Sequence, residues 1–183
     1  MIDVEIDWPE PLTVDQTEDM LGLGSHAVFN EARTHRYLLT RRWARWALGP
    51  AMTWIMLNPS TADAFADDPT IRRCISFARR EGCGSLRVLN LFALRATDPR
   101  ELRKHPDPVG PRNDQMIRSQ PRSAFTVAAW GADALAVERG QEVARLLAAT
   151  AVPLSCLGVT SGGHPRHPLY IRADAPLIPW EPA

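Results

Sequence analysis

Residues 51–94 read AMTWIMLNPSTADAFADDPTIRRCISFARREGCGSLRVLNLFAL. Two short apolar runs, 51–57 and 86–94, bracket a segment with a helical period. The first run stops at Asn58-Pro59, as a buried strand does where it leaves its sheet. Asp68 is placed to cap a helix, Pro69 suits its first position, and Ile71, Cys74, Ile75 and Ala78 fall on one face. Gly82 supplies the stop. Strand, helix and strand in this order make the unit of a parallel sheet with a right-handed crossover.

The same alternation continues downstream. Asp98-Pro99-Arg100-Glu101 is a capping-box pattern that opens a short helix. Residues 105–113 (HPDPVGPRN) are too rich in Pro and Gly for anything but a loop. Residues 124–130 (AFTVAAW) form a third strand closed by Gly131. Residues 133–149 form an amphipathic helix with Leu135, Val143, Leu146 and Leu147 towards the core. Residues 152–159 are the fourth strand and run into TSGGHPRHP at 160–168. Upstream, 27–47 alternate loosely around Tyr37, Leu39 and Trp43 and suggest strand or hairpin. Residues 1–24, with Pro9, Pro11, Gly22 and Gly24, read as an extension ordered in part by Trp8. The expected architecture is therefore an acidic N-terminal extension (1–24) and one α/β domain (25–183). That domain is a three-layer α/β/α sandwich around a mostly parallel, four-stranded central sheet.

Composition narrows the classes. The 183 residues are 45% apolar and 23% charged, enough apolar side chain for a proper core and too much for a disordered chain. No apolar run reaches the roughly 18 residues that a bilayer span needs, and the acidic start lacks the pattern of a secretory signal. The three cysteines, Cys74, Cys83 and Cys156, form no CxxC pair. A cytoplasmic protein with no metal, no cofactor and no membrane partner is expected. Formal net charge is zero but unevenly spread. Residues 1–24 hold seven acids and no base, whereas 71–122 hold twelve bases against five acids. That basic stretch either meets phosphates or consists of solvated helix faces and internal ion pairs.

In open α/β sheets, ligands collect at the carboxyl ends of the strands. The unusual residues of this chain fall there. After the first strand come Asn58, Pro59, Ser60 and Asp63. Asn90 lies within the second strand, with Arg95 five residues on. Trp130-Gly131 ends the third, and His164, Arg166 and His167 follow the fourth. Each has a plain structural alternative. Asn58 can shape a turn, Asn90 can bond neighbouring loops, and Trp130 can simply pack. The two histidines can be surface residues.

Taken together, RYLLTRRW (36–43), LNPSTAD (57–63), DDPTIRRC (67–74), NLFALRATDP (90–99), DPVGP (107–111), AWGA (129–132) and HPRHPLY (164–170) resemble the bacterial family called domain of unknown function 1643, over residues 27–172. Their order and spacing also resemble, at a distance, the uracil-DNA glycosylase superfamily. That second resemblance implies its fold and its chemistry. Asn58-Pro59 matches the motif that positions the attacking water, with Met56 where the superfamily has a Gly. Asn90 matches the residue that reads the base edge, followed by Arg95. Trp130-Gly131 matches a Trp-Gly pair at the end of the next strand. The superfamily's His-Pro-Ser-Pro loop reads His-Pro-Arg-His-Pro here. His164 is the first choice for contacting the leaving base and His167 the alternative.

The chemistry implied is cleavage of an N-glycosidic bond. Negative charge grows on the departing base, and an imidazole N–H stabilises it where it develops. Asn58 orients a water, and Asp63 or Asp67 supplies a carboxylate unless they only shape the loop. Phe65 or Phe92 stacks on the base. On duplex DNA, Arg166 or Leu169 wedges into the stack while the arginine-rich stretch holds the backbone. The acidic first residues and the zero net charge argue against a duplex and leave room for a free nucleotide, nucleoside or base; the expected partner is a nucleobase, a nucleotide or DNA. Two further readings stand beside this one: a non-catalytic nucleobase, nucleotide or nucleic-acid binding module of the same fold, and a partner-binding domain.

Overall fold

The computed structural model describes residues 11–44 and 49–182. Residues 1–10, which include Trp8, and residues 45–48 lie outside the described residues. The described chain forms eight strands: β1 (Leu12–Glu18), β2 (Gly24–Asn30), β3 (Arg36–Arg42), β4 (Ala51–Met56), β5 (Ser85–Asn90), β6 (Phe125–Ala128), β7 (Ser155–Cys156) and β8 (Ile178–Pro179). Three helices accompany them: α1 (Pro69–Arg80), α2 (Asn113–Ser119) and α3 (Ala134–Ala148). The strands make one sheet in the order β1-β2-β3-β5-β4-β6-β7-β8.

The apolar run of β4 is continuous because both of its faces are covered. Met52, Trp54 and Met56 pack with Ile71, Cys74, Phe77 and Ala78 of α1. Ile55, between them, faces the other way, into a second core built with Met116 and Ile117 of α2 and Ala136, Val143 and Leu147 of α3. Successive strand residues point to opposite faces, so helices on both sides demand apolar residues at every position. Each large side chain fully buried in this way contributes about 1.5–3 kcal/mol. Helix α1 starts where the sequence places it: the Asp68 carboxylate accepts the Ile71 N–H at 2.8 Å, with Pro69 in the first turn.

The sheet is mixed, which corrects the expectation of a mostly parallel one. The four expected strands are present as adjacent, mutually parallel neighbours, β5-β4-β6-β7. They are flanked by antiparallel strands that the apolar-run criterion does not detect. β1, β2 and β3 form a meander whose last strand joins β5, and β8 pairs with β7, so four of the seven pairings are antiparallel. β3 reads as RYLLTRR, and two of its arginines, Arg36 and Arg41, are buried. A strand that buries guanidinium groups does not look like a core strand in sequence. Residues 12–18, within the stretch read as an extension, are β1.

Smaller differences have local causes. The fourth strand is only two residues long, because Val152 still bonds back to the end of α3 and Gly158 turns the chain away. Pro99–Glu101 is a single 3₁₀ turn rather than an α-helix, capped by Asp98. Helix α2 begins inside the expected loop and has no capping side chain, so no start signal marks it in the sequence.

Candidate functional site

At the carboxyl ends of β4, β5 and β6 lies a cavity of about 310 Å³. Its lining gathers residues from several separate parts of the chain. Leu57, Asn58 and Ser60 come from the loop after β4, Asn90 from the end of β5, Trp130 and Gly131 from the end of β6, and His167 and Tyr170 from the segment after β7. A larger hollow of about 490 Å³ lies beside α3 and β8, but alanine, proline and leucine dominate its walls.

The two loops that follow β4 and β5 are stitched together. Leu91 N–H donates to Met56 O at 2.8 Å and Phe92 N–H to Leu57 O at 3.0 Å, which carries the parallel pairing past the strand ends. Asn58 completes the joint: its Nδ2 donates to Pro59 O at 2.9 Å and to Ala96 O at 2.7 Å. Carbonyl oxygens only accept, so the nitrogen end of the amide must face them. Its Oδ1 is the end left for the cavity. Two arginines of β3 hold the rest of the loop. Arg36 donates to Ala62 O, and Arg41 bonds Asp67 at 2.7 Å and Asp63 O at 2.6 Å.

Asn90 brings an unsatisfied polar group to the lining. It is 1% exposed, and its Nδ2 has no hydrogen-bond partner. An amide left unpaired in a protein interior costs about 1–3 kcal/mol. The strand carrying it is held from behind, where Asn113 Nδ2 donates to Asn90 O at 2.9 Å and to Leu91 O at 3.0 Å.

The imidazole at the cavity is His167, the alternative of the two expected from sequence. Its Nδ1 accepts the Leu169 N–H at 3.4 Å and caps the 3₁₀ turn Pro168–Tyr170. A backbone N–H only donates, so the ring proton sits on Nε2. Burial pushes this imidazole below its ordinary value, against an opposing pull from Asp68. At neutral pH His167 is an uncharged N–H donor. Gly131, with φ at +81°, adopts a left-handed backbone that favours glycine, and its N–H donates to Pro165 O at 2.9 Å.

The other expected residues are elsewhere. His164 lies in a separate small hollow with Gly140 and Trp180. Asp63 accepts the N–H groups of Phe65 and Ala66 and shapes its own loop. Pro59 contributes its carbonyl to Asn58 and Ala96 rather than its ring to the cavity. Arg95 donates to Arg33 O at 3.2 Å and stacks over Phe29. Arg166 donates to Val159 O at 3.0 Å. Phe92 is core and Phe65 is exposed, so the aromatic rings of the lining are Trp130 and Tyr170, the latter 81% exposed.

Three charged residues in the lining escaped the sequence reading. Asp68 and Asp133 cap α1 and α3 and also line the cavity. Of the two, only Asp68 is read from the sequence as a cap, and a cap does not announce a second duty. Arg36 is 3% exposed, and burial pulls its guanidinium down to about 10 while Asp68 holds it up. Several arginines of residues 71–122 are engaged by groups of the protein itself, although of that stretch only Arg87 and Arg112 are buried. Arg73, Arg80 and Arg87 donate to the carbonyls of Ile171, Ala173 and Pro121, Arg100 and Arg103 pair with Asp98 and Asp133, and Arg112 is buried.

A family model described as protein of unknown function (DUF1643) matches residues 36–169. The chain belongs to that family. The matched span runs from Arg36 at the start of β3 to the turn after His167, so it contains nearly all of the cavity lining and leaves Tyr170 just beyond. No curated protein and no solved structure matches the chain. Among the described residues, no helix is long and apolar enough to cross a membrane, and no three His, Cys, Asp or Glu side chains gather as a metal site.

Proposed function

We propose that this chain is a glycosylase-like hydrolase that breaks the N-glycosidic bond of a base-bearing substrate in this cavity. The observation that supports the reading best is Asn90: a buried amide with a free donor, in the lining of a hollow of base size. Satisfying it takes a ligand edge with an acceptor, which a planar heterocycle provides. The distant resemblance to the uracil-DNA glycosylase superfamily points the same way, with His167 in place of His164.

The chemistry follows from the three polar heads. The C1′–N bond breaks and its electron pair leaves with the base. The His167 Nε2–H donates to the oxygen or nitrogen on which that charge grows; one such donor is worth about 10²–10³ in rate. Water adds at C1′ from the side where Asn58 Oδ1 orients it, and it gives up a proton. Asp68 is better placed to take that proton than Asp63, because it lines the cavity and one of its oxygens is free of the helix cap. General-base help of this kind contributes about 10²–10⁴. Products are the free base and a sugar bearing a new hydroxyl. Tyr170, exposed at the cavity, replaces Phe65 and Phe92 as the stacking ring.

One observation favours the binding-only reading: both carboxylates already serve as helix caps. The test separates the two. A panel of nucleosides, nucleotides and oligonucleotides carrying normal and modified bases is incubated with the protein, and free base is measured by chromatography. Release is expected from at least one member, reduced about 10²-fold in Asn58→Ala and in His167→Ala. Release that both variants leave untouched contradicts the proposed roles. Binding without release leaves a base-binding module.

A further inference from the structure

We propose that the ligand of this cavity carries an oxyanion and that Arg36 receives it. Resting on the function proposed above, this makes the substrate a nucleotide with its phosphate rather than a bare nucleoside or base. Arg36 opens β3 and reaches the cavity beside Val88 and Asn90 of β5. It is 3% exposed, yet only a backbone carbonyl, Ala62 O, is bonded to its Nη1, and its Nε–H has no partner. Arg41, on the same strand, shows the usual solution: Asp67 pairs with it at 2.7 Å.

A buried cation without a bonded counter-ion is strongly disfavoured unless something completes it. A guanidinium is completed best by a phosphate or carboxylate, whose two oxygens match its planar fork. The two carboxylates in the lining do not bond Arg36, although the charge of Asp68 acts on it through space. Asp68 spends an oxygen on the Ile71 N–H, and Asp133 on the Leu135 N–H with Arg103 beside it. Both also lie at helix N-termini, where backbone dipoles offset their charge and reduce the repulsion an incoming anion meets.

The experiment is calorimetric titration of the intact protein with nucleoside 5′-monophosphates, the matching nucleosides, and inorganic phosphate alone. Expected is a monophosphate bound at least tenfold more tightly than its nucleoside. The gap should shrink to twofold or less in Arg36→Met and to an intermediate value in Arg36→Lys. Should Arg36→Met fail to fold, Arg36→Lys alone decides. Preference for inorganic phosphate over nucleoside, lost in the same variants, supports the oxyanion site even where no base is released. It survives, in that case, the failure of the glycosidase reading. Equal binding of nucleoside and monophosphate, or Arg36 variants that bind as the parent does or lose turnover alone, overturns it. So does a panel in which nothing binds.

Discussion

Asn90 and Asn113 are two buried amides with opposite duties. The Asn113 nitrogen bonds two carbonyls at the end of β5, whereas the Asn90 amide bonds nothing through its nitrogen. Replacing Asn113 by Leu strips Asn90 O of its bond from that side chain and should cost about 1–3 kcal/mol. Replacing Asn90 by Leu removes an unpaired polar group for one of similar volume. Stability by urea unfolding should then stay within about 1 kcal/mol of the parent or rise, while ligand binding is lost. A large loss of stability in Asn90→Leu would show that the amide is structural. The sequence exposed Asn90 well, since an amide inside VLNLF has few explanations. It exposed His167 only as half of a pair. The capping bond to Leu169 N–H, which gives that ring its tautomer, depends on a turn conformation that no residue spacing reveals.

The cavity is a by-product of how elements end. Helices α1 and α3 present their N-termini to it through the caps Asp68 and Asp133, and β4 and β5 are extended by loop bonds that bring Asn58 to its rim. One residue in this set can be split into its two jobs. Serine caps helices as well as aspartate does but carries no charge. Asp68→Ser should therefore hold the melting temperature near the parent's and lower base release about 10²-fold or more. Asp68→Ala should lose the release and also about 1 kcal/mol of stability. Equal release in Asp68→Ser and parent would move the proton acceptor to Asp133. The central strands and two of the helices were readable because apolar runs and caps are local signals. β3 was half readable: its alternation is visible, but its place beside β5 rests on Arg36 and Arg41 finding carbonyls and a carboxylate in a loop that follows β4. That partnership is tertiary, and it also hid Arg36 from the list of candidate residues.

For the molecule as a whole, acid should act in two stages. His167 has its folded value depressed below the ordinary 6.5, so the unfolded chain takes up a proton first as pH falls. The stability it contributes is complete above 6.5 and is lost as pH drops through the folded value. Asp15 and Asp174 are held below the ordinary carboxylate value, by hydrogen bonds from Arg33 and Arg172 in the first place, so their contributions disappear only further down. Urea unfolding at pH 7.5 and pH 5 should show a drop for the parent and a smaller one for His167→Gln. Identical drops would mean that the ring is not shielded as described. The topology of the sheet has a consequence for biosynthesis. A ribosome delivers β1, β2 and β3 first, and β3 then waits for its neighbour until β4, α1 and β5 have all emerged. Throughout that interval the nascent meander offers a bare edge to any other unfolded polypeptide. The guanidinium groups that later disappear into the interior lie along that same edge, where their charge discourages aggregation until the proper neighbour arrives.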